Sequence, residues 1–122
     1  MYERILVVCT GNICRSPIAE FLLRDALVKA GRNPEVRSAG VGALVNHPAD
    51  AMAIEIMQER GLDLGSHKAQ QANVTLCRWA ELVLVMEAHH REELGNIEPA
   101  VRGRTCLPGQ GQKLEVHDPY QR

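Results

Sequence analysis

Ile5-Leu6-Val7-Val8 runs directly into Cys9-Thr10-Gly11-Asn12-Ile13-Cys14-Arg15-Ser16-Pro17. The first four residues are a continuous apolar run with β-branched side chains, the pattern of a strand buried on both faces. Ser16-Pro17 reads as an N-cap followed by the first helical position. The stretch is therefore a strand, a tight turn and a helix start, the opening of a βαβ unit.

Working outward, the helix is expected to reach Ala30, with an apolar stripe of Ile18, Leu22, Ala26 and Ala30 flanked by Ala19, Leu23 and Leu27. Gly31 is a plausible stop. Glu35-Val36-Arg37-Ser38 reads as a second strand, and Ala39 to Pro48 as a Gly-containing loop. Ala49 to Arg60 reads as a helix ended by Gly61, and Asn73 to Trp79 as a short helix. Leu82 to Met86 is a third strand, Ala88 to Leu94 a helix, and Arg104-Thr105-Cys106-Leu107 a weak fourth strand. From Pro108 the chain is irregular and rich in Gly and Gln. Strands alternating with helices imply right-handed crossovers and a parallel, doubly wound α/β sheet in one domain, 1–122. In such sheets ligands bind beyond the carboxyl ends of the strands, which places the turn after the first strand at the site.

Apolar residues are 45%, charged residues 24%, and the net charge is −1, a globular balance with no electrostatic drive toward nucleic acid or anionic membranes. One Trp, two Tyr and one Phe make stacking platforms for bases an unpromising reading. The longest apolar runs are too short to span a bilayer. Met1-Tyr2-Glu3-Arg4 leads straight into the first strand, without a signal-peptide pattern. Together with four cysteines, too few for a disulfide scaffold, this points to the cytoplasm and reduced thiols.

A loop of backbone N–H groups at a helix start is an anion site. This one lacks the Lys-Ser/Thr ending of a nucleotide P-loop. It carries instead Cys9 at its mouth and Arg15 six positions on. The field that attracts phosphate also favours the thiolate of Cys9, and the planar fork of Arg15 matches two phosphate oxygens. A thiolate beneath a bound phosphoryl group is a nucleophile in line with phosphorus. Phosphoryl transfer also needs an acid for the leaving oxygen. Asp-Pro alone is an ordinary turn, but Asp118 in Asp118-Pro119-Tyr120 follows the last strand and becomes the candidate acid beside such a loop. Tyr120 is a candidate cleft wall for a flat ring. The five histidines show no ligand spacing, and His89 and His90 are adjacent, so no metal or other cofactor is expected.

Cys9 to Pro17, Ser38-Ala39-Gly40, His47-Pro48-Ala49-Asp50, His67-Lys68-Ala69-Gln70-Gln71, Met86-Glu87 and Asp118-Pro119-Tyr120 together resemble the low-molecular-weight protein tyrosine phosphatase family, in order and over essentially the whole chain. Pro99-Ala100-Val101-Arg102-Gly103 and Leu114 to Tyr120 narrow the resemblance to the bacterial exopolysaccharide-operon branch, which acts on membrane tyrosine autokinases of capsule and exopolysaccharide export. The resemblance implies a flavodoxin-like sheet of order 2-1-3-4 with helices on both faces, and a further C-terminal helix that these 122 residues lack. It implies that Cys9 forms a phosphocysteine and that Arg15 binds the phosphate with the amides of Thr10, Gly11, Asn12, Ile13, Cys14 and Arg15. Ser16 would stabilise the leaving thiolate, and Asp118 would serve as acid and then base. Asn12, Ser38 and His67 would hold the loop in shape, Leu44 and Tyr120 would wall the cleft, and Cys14 would form a disulfide with Cys9 that protects it from over-oxidation. Each has a plainer reading as well: Asn12 tolerates left-handed turns, Ser38 closes a strand, and Cys14 packs under the loop.

Two competitors share these features. A thiol-coupled arsenate reductase uses the same fold and loop but needs a relay of further cysteines. The family pattern places two of them on a segment past the middle of the chain; here only Cys77 is near it, with Leu84 seven residues on, and Cys77 and Cys106 read as structural. A catalytically inactive phosphotyrosine-binding module would not need Cys9, Arg15 and Asp118 together.

Overall fold

The computed structural model describes residues 2–107, so Asp118, Tyr120 and the whole stretch from Pro108 lie outside the described residues. The described elements are β1 (Arg4–Cys9), α1 (Arg15–Lys29), β2 (Glu35–Gly40), α2 (Ala51–Gln58), α3 (Val74–Trp79), β3 (Leu82–Val85), α4 (Ala88–Ile97), a 3-10 turn (Pro99–Arg104) and β4 (Thr105–Cys106). The four strands form one parallel sheet in the order β2-β1-β3-β4. This is the expected doubly wound arrangement.

Period-2 alternation divides the sheet between two cores. Leu6, Val8, Val83 and Val85 face Leu76, Cys77, Leu94 and Val101 of α3, α4 and the 3-10 turn. Ile5 and Val7, with the half-buried Leu82 and Leu84, face Ala19, Leu23 and Leu27 of α1. A third cluster joins Cys14 and Ile18 to Ala53 and Met57 of α2. Full burial of a side chain such as Leu6 or Val7 contributes roughly 1.5–3 kcal/mol, and β1 carries such side chains on both faces. Both glycine stops occur as expected. Gly31 and Gly61 have φ of 81° and 75°, and the N–H groups of Arg32 and Leu62 return to Leu27 O and Met57 O at 2.8 and 2.9 Å.

Several boundaries differ from the sequence reading. α1 begins at Arg15, with Cys14 at the N-cap, rather than at a Ser16 cap. The reason is that Cys14 O already accepts the Ile18 N–H at 3.1 Å, while the Ser16 hydroxyl is engaged by Cys9 and Asn12. The stripe on α1 is also shorter than expected: its first half is buried, but Ala26 and Ala30 are exposed, because α1 packs through Ile18, Ala19, Phe21, Leu22, Leu23 and Leu27. α2 starts two residues later than expected, where the Asp50 side chain accepts from Met52 N and caps it. β4 shrinks to two residues because the preceding Pro99–Arg104 segment coils as a 3-10 turn.

Candidate active site

The loop between β1 and α1 is tied down on its outer side, carbonyl by carbonyl. Cys9 O accepts from Val41 N, Thr10 O from Gly42 N, Gly11 O from Leu44 N and Ile13 O from Asp50 N, at 3.0, 3.0, 3.1 and 2.7 Å. Asn12 O meets His67 Nε2 at 2.7 Å. Across a trans peptide the C=O of one residue and the N–H of the next point in opposite directions. Pulling these carbonyls outward therefore turns the N–H groups from Thr10 to Cys14 inward, around a centre at the start of α1. Inward N–H groups, a helix N-terminus and Arg15 make an anion cradle. Gly40 makes the close approach possible: a Cβ there would lie 2.3 Å from Thr10 O.

Beneath the cradle lies Cys9, its side chain 5% exposed. Ser16 Oγ is 2.9 Å from Cys9 Sγ, and the Asn12 N–H reaches the same sulfur at 3.3 Å. The proton direction follows from the neighbours. Gln70 N–H donates to Asn12 Oδ1 at 2.8 Å, which fixes the amide's orientation. Asn12 Nδ2 then donates to Ser16 Oγ at 2.8 Å and to Ser38 Oγ at 2.9 Å. Ser38 in turn donates to Glu20 Oε1 at 2.5 Å, and the Ser16 hydroxyl is left facing Cys9 Sγ, to which it donates when the sulfur is a thiolate. Asn12 itself is fully buried at φ 59°, so it both adopts the left-handed turn and holds the network.

Glu20 is a site residue that the sequence reading misses. It is 9% exposed and also accepts from Arg24 Nη2, which in turn donates to Val36 O at 2.6 Å. The available signal was the spacing Ser16-Glu20-Arg24, three polar residues on one helix face above an otherwise apolar run.

Arg15 Nη2 pairs with Glu87 Oε1 at 2.5 Å, with the arginine side chain 14% exposed. That hydrogen bond is the chief reason the Glu87 carboxyl sits below its ordinary range. Three residues after Glu87, His90 is completely buried, and its Nε2 lies 3.0 Å from Thr10 Oγ1. Burial first, and then the neighbouring His89, pushes His90 down to about 4, with Glu87 opposing and Arg15 adding to the fall. His90 was passed over in the sequence because adjacent histidines carry no ligand spacing.

A pH dependence follows. His90 has a folded-state pKa below its ordinary 6.5, so the stability linked to it is present above about 6.5 and is lost as pH falls through about 4. Glu87, also held low, adds a loss of the same sign beneath the ordinary carboxylate range. Urea unfolding of the wild type and His90→Gln between neutral and acid pH is expected to give a shallower pH slope in the variant. Identical slopes would remove His90 as a source of the dependence.

Of the remaining expected site residues, Leu44 is 46% exposed, with its N–H on Gly11 O, at the edge of the loop. Cys14 is a buried thiol on the same loop as Cys9. Cys77 is buried in the core, and burial pushes its thiol up, the opposite of what a relay cysteine needs. Asp118 and Tyr120 lie outside the described residues. Among the described residues no helix is long and apolar enough to cross a membrane.

Comparison with known proteins agrees with this geometry. The sequence pattern of the family described as low molecular weight phosphotyrosine protein phosphatase matches residues 4–122. A probable low molecular weight protein-tyrosine-phosphatase, EpsP of Ralstonia nicotianae, is 42% identical over 122 residues, spanning 100% of this chain and 81% of that protein. The crystal structure of the Erwinia amylovora tyrosine phosphatase AmsI superposes with a TM-score of 0.88 at 43% identity, covering 100% of this chain and 79% of that one. The tyrosine phosphatase Wzb from Escherichia coli K30, solved in complex with sulphate, gives a TM-score of 0.86 at 46% identity, covering 99% and 82%.

Proposed function

This chain belongs to the low molecular weight phosphotyrosine protein phosphatase family, and from that premise we propose how its residues hydrolyse phosphotyrosine. The Cys9 thiolate attacks phosphorus, forming a P–S bond as the P–O bond to the tyrosine ring breaks. Asp118, as the carboxylic acid, passes its proton to the leaving phenolate oxygen. Asp118, now a carboxylate, takes a proton from water as that water attacks phosphorus. The P–S bond breaks, phosphate departs, and the thiolate is received by the Ser16 hydroxyl. Arg15 and the inward amides stabilise the charge on the transferring oxygens throughout. Arg15 is to exchange its Glu87 partner for phosphate oxygens when substrate enters. Asn12, Ser38 and His67 keep the loop in register, and Leu44 and Tyr120 flank the ring.

The observation that carries this reading is the buried network centred on Asn12, which donates to Ser38, itself bonded to Glu20, and to Ser16, whose hydroxyl lies 2.9 Å from the buried Cys9 sulfur. A structural cysteine has no use for such an arrangement, whereas a sulfur that alternates between nucleophile and leaving group does. We place the enzyme in the cytoplasm, and the physiological substrate we propose is a phosphotyrosine protein, namely a membrane tyrosine autokinase of exopolysaccharide or capsule synthesis. The exopolysaccharide-branch motifs Pro99 to Gly103 and Leu114 to Tyr120 support it. Aryl phosphate turnover, without arsenate-dependent consumption of a thiol reductant, is the expected result. Arsenate reduction would favour the reductase, and tight phosphotyrosine binding without turnover would favour the binding module.

Cys14 is proposed as a resolving thiol. Peroxide oxidises the Cys9 thiolate to a sulfenic acid, and the Cys14 thiol condenses with it, releasing water and forming a disulfide. Mild peroxide is therefore expected to inactivate the enzyme in a way that dithiothreitol reverses. Peptide mapping that finds only irreversibly oxidised Cys9, with Cys14 untouched, would refute the pairing.

A further inference from the structure

We propose that Glu87 and His90, at the start of α4, form a clamp on the two ends of the phosphate loop, in which His90 is a positioning residue that holds Thr10; this rests on the phosphatase reading above. β3 delivers α4 to this place. Val85 is in register with Val8, and Met86 N–H donates to Val8 O at 3.0 Å, so the chain leaves β3 beside the end of β1. Two residues three apart on the next turn then reach back to the loop. Glu87 meets Arg15, the last residue of the loop, and His90 meets Thr10, the first after the nucleophile.

The geometry sets the proton on His90. Glu87 N–H, an obligatory donor, lies 3.1 Å from His90 Nδ1, so Nδ1 carries the lone pair and Nε2 the hydrogen. Nε2–H consequently donates to Thr10 Oγ1, across eighty residues of sequence. Thr10 is exposed on its outer side, so its rotamer has to be set from below. With Thr10 O also bonded to Gly42 N, side chain and carbonyl together fix the peptide plane that aims the Gly11 N–H. A fully buried imidazole with both ring nitrogens engaged is costly to place unless each bond is kept. Here one bond caps a helix and the other reaches the catalytic loop.

Thr10→Val tests this at an exposed position that packs against no core cluster. It keeps the shape and removes the acceptor. Loss of one such bond is expected to lower kcat/KM and to weaken competitive inhibition by inorganic phosphate, each roughly three- to tenfold, and to lower the melting temperature by several degrees, because the buried His90 Nε2–H is left without its acceptor. Thr10→Ser is expected to restore all three. His90→Gln, whose amide reaches the position of Nε2, is expected to keep more activity than His90→Asn, which reaches only the Glu87 N–H. In the Thr10→Val background, His90→Asn is expected to add no further loss. Wild-type behaviour of Thr10→Val, or losses that multiply in the double variant, would overturn the clamp. Nitrogen-15 NMR of the histidines reads it independently of turnover. The Nε2–H tautomer of His90, with its resonance moved by Thr10→Val, is expected, and an Nδ1–H tautomer overturns the inference even in an active enzyme. Failure of the phosphatase reading would show separately, as a wild-type protein that turns over no aryl phosphate.

Discussion

Cys9→Ser is expected to reduce aryl phosphate turnover by on the order of 10⁴–10⁶-fold, the scale on which enzymes respond to loss of a covalent nucleophile. The hydroxyl that replaces the thiol would sit at the bottom of the same cradle, beside the Ser16 Oγ now 2.9 Å from the sulfur. A hydroxyl stays protonated where a thiol ionises, and neither Ser16 nor the Asn12 N–H can remove its proton. Binding should survive, because the cradle consists of backbone N–H groups held by outward carbonyl bonds to Val41, Gly42, Leu44 and Asp50, with Arg15 at its end. Steady-state rates and phosphate affinity measured on the same preparation are the check. Substantial turnover in the variant would end the assignment of Cys9 as nucleophile. Loss of phosphate binding would show that the sulfur also shapes the loop. Arg15→Lys belongs to the same experiment and should fail in the opposite way: the nucleophile is kept, but a point charge replaces the two-pronged fork, so binding and rate fall together.

Asp118→Asn is expected to cost about 10²–10⁴-fold on substrates with poor leaving groups, the usual contribution of a general acid, and far less on activated aryl phosphates. The difference arises because a phenolate that is already stable departs without a proton, whereas tyrosine needs one. Plotting log kcat/KM against leaving-group acidity should give a steeper dependence in the variant than in the wild type. A uniform loss across the series would mean that Asp118 supports the site without transferring the proton. Dephosphorylation of the phosphocysteine should slow in the same variant, since the carboxylate is assigned to activate the water. A burst of phenol release followed by a slow steady rate would report that step.

The identity of the site was legible in the sequence because its chemistry is contiguous. The proposed nucleophile, the loop amides, the arginine and the helix start all fall within Cys9 to Ser16, and a strand ending in a tight turn places them at the carboxyl edge of a sheet. The alternation of Leu6 and Val8 with Ile5 and Val7 was legible for a similar reason: strand geometry sends successive side chains to opposite faces, wherever the partners lie. The glycine stops were legible because a positive φ is a local demand.

Tertiary structure alone added Glu20 and His90 to the groups that hold the loop. Glu20 looks like a solvent-facing residue of an amphipathic helix. It becomes a buried anchor because α1 begins at Arg15, and β2, paired with β1, brings Ser38 against it. His90, dismissed on spacing, acquires a partner eighty residues away because β3 lies in register beside β1 and delivers α4 to the loop. Periodicity and motif spacing report what a residue does with its near neighbours. Whether a carboxylate or an imidazole is desolvated, and which hydrogen bonds then become obligatory, depends on elements folded over it from elsewhere in the chain.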